Sequence, residues 1–253
     1  MKSIISMKKT IFTIVMAFSF ICLYAQDVEF TADRPGASTG PSTVGKGDIQ
    51  LEQGMQYDGD GGKGVFTFSS TLLRYGLFDG MELRITGDAF IYDNNDSWKP
   101  AFTGVSIGTK IGCFEEQGIK PSVSLLANLA IPATGSKGFV VEKLAPSLYL
   151  LCENTLSDKL SLGYNVGAEW DGTGSSPITF LAACLGYSVT ERLGCFVESY
   201  NYLTKDNNRY CADFGLNYMA TGKLQFDVAA NLDLRDPANY WAVSFGVVWQ
   251  INK

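Results

Sequence analysis

No histidine occurs at any of the 253 positions of this chain. Ser-His and Cys-His activation of a nucleophile are therefore both unavailable, and so are imidazole metal sites. Charge is scarce as well. Only 18% of residues are charged, against the roughly 25% usual in soluble domains. No apolar run reaches the ~18 residues that a membrane-spanning helix needs. The acidic balance, formally −6, disfavours nucleic acid, whose phosphates are neutralised by basic side chains. No Cys-x-x-Cys pair is present, so Cys113, Cys152, Cys184, Cys195 and Cys211 read as small apolar filler rather than as a disulfide framework or zinc site. The expectation is a chain that is not an enzyme, with no catalytic residue, metal or cofactor.

What is abundant is a period of two. Met81, Leu83, Ile85, Gly87, Ala89 and Ile91 interleave with Glu82, Arg84, Thr86, Asp88, Phe90 and Tyr92. Near the other end Leu224, Phe226, Val228, Ala230 and Leu232 alternate with Gln225, Asp227, Ala229, Asn231 and Asp233. Successive strand side chains point to opposite faces, which gives one oily and one wet face. Twelve such segments are expected, near 48–57, 65–75, 81–92, 101–113, 119–131, 142–153, 160–170, 178–189, 193–203, 209–219, 224–234 and 240–251. A tilted strand needs about 9–11 residues to cross a bilayer, and an even strand number suits a closed barrel.

The connections alternate in kind. Tight turns such as Leu77-Phe78-Asp79-Gly80 and Ala220-Thr221-Gly222-Lys223 face a second set that is longer or more polar, including Asp58–Gly64, Asp93–Pro100, Pro132–Gly138 and Asp171–Pro177. Short turns on one side and longer loops on the other are a barrel signature. A soluble β-sandwich would also alternate. Strands this long exceed the globular mean of about five to six residues. Closure also removes the exposed edges of so large a sheet. Aromatics near strand ends (Tyr57, Tyr75, Tyr92, Trp98, Trp170, Tyr187, Trp241 and Trp249) suit a lipid interface. The fold expected is all-β: a transmembrane antiparallel up-and-down β-barrel of about 12 strands over residues 47–253.

Ahead of it, Lys2, Lys8 and Lys9 precede the apolar run Ile11–Tyr24, and Ala25 offers a small residue for cleavage. Residues 1–25 therefore read as a signal peptide. A lipid anchor at Cys22 is the weaker reading, because Phe20 and Ile21 are not small. Export of this kind places the barrel in the outer membrane of a Gram-negative bacterium. Residues 26–46, with Pro35 and Pro41, read as an irregular periplasmic segment.

Two phosphate-loop look-alikes fail on context. Gly40–Lys46 is followed by Gly47 where Ser or Thr should bind magnesium, and Gly59–Gly64 lies in a hairpin; neither precedes a helix. Asp58-Gly59-Asp60 could supply oxygen ligands to calcium, but Ser69 stands at the twelfth position where such a loop carries glutamate.

The wet face carries the candidate functional residues. In phase with the strands, Glu52, Glu82, Asp88, Glu153, Glu169, Glu198, Asp213, Asp227 and Asp233 point inward, accompanied by Arg74, Arg84 and Lys110. Such groups are costly in lipid. Two readings stay open: ion pairs that seal a narrow barrel, or an acidic lumen that admits small solutes and favours cations.

Three stretches carry a family resemblance: Phe30 to Gly40, including Asp33-Arg34-Pro35; Lys46 to Gly54; and Thr71 to Arg84. They resemble the MetA-pathway of phenol degradation family, whose members are regarded as outer-membrane barrels, some linked to uptake of aromatic or other apolar compounds. The resemblance implies a channel or transporter passing small, apolar or aromatic molecules, with outer-membrane lipids and the outer-membrane assembly machinery as partners. A closed structural or interaction barrel is the alternative. Asp33 and Arg34 suggest a plug, with Arg34 pairing an inward acid such as Glu52 or Glu82; a solvated turn set by Pro35 and Gly36 is the competing view. Many such barrels end on an aromatic residue, whereas this chain ends Trp249-Gln250-Ile251-Asn252-Lys253, so Trp249 or Ile251 would have to serve.

Overall fold

The computed structural model describes residues 30–95, 97–173, 176–205 and 207–252, with Asp60 by its backbone alone. The expected signal peptide lies outside the described residues. Among those described there is no helix, and the strands are β1 (Ile49–Asp60), β2 (Lys63–Phe78), β3 (Met81–Asp93), β4 (Trp98–Phe102), β5 (Ser106–Phe114), β6 (Ser122–Ala130), β7 (Ala145–Ser157), β8 (Leu160–Glu169), β9 (Ile178–Ser188), β10 (Leu193–Leu203), β11 (Asn208–Thr221), β12 (Leu224–Asp233) and β13 (Tyr240–Gln250). All pairings are antiparallel. Apart from β4 and β5, which both pair with β3, sequence neighbours pair along the sheet, and β13 returns to β1, with Gln50 opposite Gln250 and Asp60 opposite Tyr240. The sheet is closed.

One stave is made of two pieces. β4 pairs with the 89–93 half of β3 and β5 with its 81–86 half. The wall therefore has twelve positions, as the alternation predicts, but the segment expected at 101–113 is broken at Thr103–Val105. Gly104 takes φ +101 there, a left-handed conformation that side chains resist. The loop after β6 satisfies the freed backbone: Ser136 N donates to Phe102 O at 2.9 Å, and Val105 N donates to Thr134 Oγ1 at 2.9 Å.

The start of β1, the end of β13 and the turns between β2 and β3, β7 and β8, and β11 and β12 lie at one end of the barrel, the turn end. The opposite, loop end carries the long connection 131–144. The expected loop Asp58–Gly64 is not one of this set. β1 and β2 run on to a two-residue turn in which Gly61 and Gly62 have φ +57 and +87, the positive pair that lets a tight hairpin follow the strand twist. The calcium reading loses its loop with it; Asp58 Oδ1 accepts from Gln56 Nε2 at 2.7 Å.

The outer wall is apolar. Ile85, Val166, Val197, Phe214 and Phe245 keep about half their surface exposed, all on the face away from the lumen. Left in water they would form a patch far beyond the few hundred Å² that soluble monomers expose, so this surface is built for hydrocarbon. Tyr57, Trp98 and Trp241 ring the loop end of this face, and Tyr75, Tyr187 and Trp249 the turn end. Tyr92 departs from that expectation. It points inward, where its ring meets Phe139 of the 131–144 loop at 5.0 Å, edge-on.

Eight strands give a barrel that side chains can just fill; twelve leave a wider interior. That space is occupied by the chain's own N-terminal residues.

Candidate functional site: a charged lumen threaded by the N-terminal segment

Residues 30–48 form no strand until Ile49. Their peptide groups must still find partners once water is excluded, and inward side chains supply them. Asp33 N and Arg34 N donate to the Glu52 carboxylate at 3.1 Å each. Ser38 N donates to Glu198 Oε1 at 2.6 Å, and Thr39 exchanges two bonds with the Asn165 amide, at 2.8 and 3.0 Å. Ser124 Oγ donates to Pro41 O, Arg74 Nη2 to Ser42 O, and Val44 N to Glu82 Oε2. The partners sit on β1, β2, β3, β6, β8 and β10, so the segment crosses the lumen from wall to wall.

At its centre Asp33 meets three cations. Its Oδ1 receives Lys110 Nζ at 2.8 Å and lies 3.7 Å from Arg74 Nη1; its Oδ2 receives Arg84 Nη1 at 2.5 Å. Arg74 also grips Glu82 through Nε and Nη2 at 2.9 and 2.8 Å and Glu52 through Nη1 at 3.0 Å. Arg74, Lys110, Glu52 and Glu82 have at most 1% of their surface exposed. Three cations thus face three acids. Burial alone would raise the Asp33 carboxyl, but Arg74, Lys110 and Arg84 outweigh it and hold the group well below the usual carboxylate range.

Arg34 turns the other way, to the adjoining wall of β1, β13 and β12. Its side chain pairs with Asp227 on β12, through Nη2–Oδ1 at 3.0 Å and Nε–Oδ2 at 3.3 Å, not with Glu52 or Glu82 as the sequence suggests. The reason is a slot that alternation does not reveal. Gly54 on β1 and Gly246 on β13 are direct register partners, and Asp227 pairs with Gly246 from the other side. A Cβ built on either glycine would run into the Arg34 guanidinium, so two adjacent side chains are missing where that group lies flat. The Arg34–Pro35 peptide bond is cis. We expect Gly246→Val to evict Arg34 and destabilise the barrel by about 1–3 kcal/mol, as overpacking does. Added to Arg34→Ala it should cost markedly less. Thermal unfolding in detergent checks this; equal costs in the two backgrounds would refute the slot.

The remaining predicted residues divide. Glu198 and Asp213 are register partners on β10 and β11, both buried; Glu198 Oε2 and Asp213 Oδ1 have no hydrogen-bond partner among the described residues. Glu153 lines a chamber open to the turn end, and Glu169 accepts from Tyr149 Oη at 2.7 Å beside the rings of Phe180 and Tyr202. Asp88 is half-buried near the break, where its N donates to Thr103 Oγ1 at 3.0 Å. Asp233 is apart from all of these: it meets Arg209, itself 54% exposed, at the loop end. Sequence reasoning missed Gln50, Ser124 and Asn165 as partners of the segment. Their inward phase was legible, but neutral amides and hydroxyls on a wet face carry no signal of their own.

A closed twelve-position barrel, greasy outside and charged within, defines an outer-membrane β-barrel of the porin type. The chain matches the family described as "Putative MetA-pathway of phenol degradation" over residues 32–251 and belongs to that family. No curated protein matches it. Among solved structures it is similar to the COG4313 outer membrane channel from Pseudomonas putida F1, at 12% identity and TM-score 0.63, covering 86% of this chain and 99% of that one. It is also similar to the KdgM porin (12% identity, TM-score 0.58, 81% and 99% coverage) and the NanC porin (10%, 0.58, 79% and 100%). At such identities the likeness is one of fold.

Proposed function

We propose that the protein is a passive outer-membrane channel for small solutes, with the N-terminal segment, described from residue 30 onward, as a plug that narrows the lumen. One observation carries this reading: the segment is anchored to the wall by ion pairs and hydrogen bonds, and cavities of about 640 and 270 Å³ lie on its two sides. A barrel that served only as a scaffold would have no need of chambers above and below its plug. The inner chamber offers the rings of Tyr149, Phe180 and Tyr202, surfaces that suit aromatic or apolar solutes. The porin-type neighbours and the family description support the same class.

In this reading the turn end faces the periplasm, as in bacterial barrels generally. The setting is the outer membrane of a Gram-negative bacterium, reached after signal cleavage with the assembly machinery reading β13. The alternative, a sealed barrel without transport, draws on the buried Asp33 network. Conductance of the purified protein in a planar bilayer, with a panel of ions and aromatic solutes, separates them. A channel passes current and admits solutes; the absence of any current would refute the channel.

A further inference from the structure

The two sides of the N-terminal segment are unlike. Toward β1–β5 it is packed against charged side chains, and Arg74 and Lys110 retain no exposed surface. Toward β8–β10 the wall nearer the turn end is lined by small residues such as Ser161, Gly163, Cys184 and Gly186. Two lumen cavities follow one another there, leading to the aromatic chamber, which residues of β3 and β5–β7 also line. The chamber at the turn end shares Glu153, Ser161 and Gly186 with a smaller one of about 200 Å³, which in turn shares Thr39 with the aromatic chamber. What stands between them is the pair of contacts from Ser38 to Glu198 and from Thr39 to Asn165.

Charge along this side is also unbalanced. At the constriction itself no cation is left over among the described residues: Arg74, Arg84 and Lys110 pair with Asp33, Glu52 and Glu82, and Arg34 with Asp227. Arg84 also borders the aromatic chamber, and Lys159 and Arg192 line the turn-end chamber beside Asp158 and Glu191. Glu198 and Asp213 face one another with an oxygen each left without another hydrogen-bond partner among the described residues, so the two carboxyls share a proton and together carry a single negative charge. Glu153 lines the same cavity as Glu198.

We infer that solutes cross between the N-terminal segment and the β8–β10 wall, that the Ser38–Glu198 and Thr39–Asn165 contacts form the constriction on this route, and that its surplus carboxylates make it prefer cations and neutral molecules over anions. The inference rests on the channel reading. Partial release of two residues then suffices to widen the path, while the Asp33 and Arg34 anchors keep the rest of the segment in place. Fixed carboxylates beside a narrow path raise the local concentration of cations and oppose anions.

Cys184 makes the route testable in the native chain. It is the register partner of Glu198 on β9, partly exposed, and lines the middle cavity. In a planar bilayer with a potassium nitrate gradient, the parent protein should show a cation-selective reversal potential. Silver ion, a thiol ligand small enough to follow potassium, should block its current, and Cys184→Ser should lose that block. Glu198→Gln combined with Asp213→Asn, which keeps an oxygen for Ser38 N but removes the charge of the pair, should shift the cation-to-anion ratio toward unity. Asn165→Ala should raise conductance. A heat-dependent shift in gel mobility verifies that each variant is folded. Anion selectivity, or silver block that persists in Cys184→Ser together with an unaltered ratio in the Glu198→Gln, Asp213→Asn variant, would overturn the route while leaving the channel intact. A parent that passes no current would overturn the channel reading itself, and the route with it.

Discussion

Asp33→Ala should open the barrel. The substitution removes the one acid that Arg74, Arg84 and Lys110 share, leaving three buried cations to two acids. Removing one partner from a buried ion-pair network typically costs about 3–5 kcal/mol, because the charges left behind stay uncompensated. Here the segment can relieve that cost by leaving the lumen and letting water in. Single-channel conductance should therefore rise several-fold, with the reversal potential moving toward anions, and the freed N-terminal residues should become sensitive to protease. Unchanged conductance and protection would show that the other contacts hold the segment without Asp33.

Acid should not mimic this variant under mild conditions. A carboxyl depressed in the folded state contributes stability above its ordinary value, about 3.9, and loses it only as pH falls through the lower, folded value. Asp33 is held down in this way by its three cations. Protease protection of the segment should accordingly persist from about pH 7 to about pH 5.

The second large effect is expected on stability. Arg74 is wholly buried, binds Glu82 through two nitrogens and Glu52 through a third contact, and donates to Thr31 O and Ser42 O. Arg74→Ala takes the guanidinium from two buried carboxylates and two carbonyls at once, so a loss of about 3–5 kcal/mol is expected. Arg74→Lys should recover little of it, since an ammonium cannot reproduce a planar fork that reaches several acceptors. The temperature of the gel-mobility shift measures both variants. An Arg74→Lys barrel as stable as the parent would mean that charge alone, not the fork, organises this centre.

The strand framework was legible because its cause is local. β10 lies at the residues the alternation predicts, 193–203, and most other strands begin and end within a few residues of expectation. Each inward charge was legible for the same reason: lipid outside tolerates none of them, so phase alone assigns their face. The misplacements have equally definite causes. Tyr92 has the composition of an interfacial residue, yet it sits in the inward phase, and only the 131–144 loop, folding back with Phe139, supplies its neighbours. The 101–113 segment is interrupted at Gly104 because Thr134 and Ser136 offer the backbone other partners. Arg34 was matched to the wrong acid because Glu52 and Glu82 are near in sequence, whereas Asp227 lies 193 residues away.

Taken alone, then, the amino-acid order determined the period of two, the number of wall positions and which side chains face inward, since these follow from strand geometry and from the intolerance of hydrocarbon for charge. Which inward groups meet was decided only by closure of the barrel. Joining β1 to β13 sets Gly54 beside Gly246 and brings Asp227 next to them, making a place for Arg34 that no local pattern encodes. The width of twelve strands left the interior to be filled by the chain's own N-terminal residues, because a narrower barrel would have been packed by side chains alone.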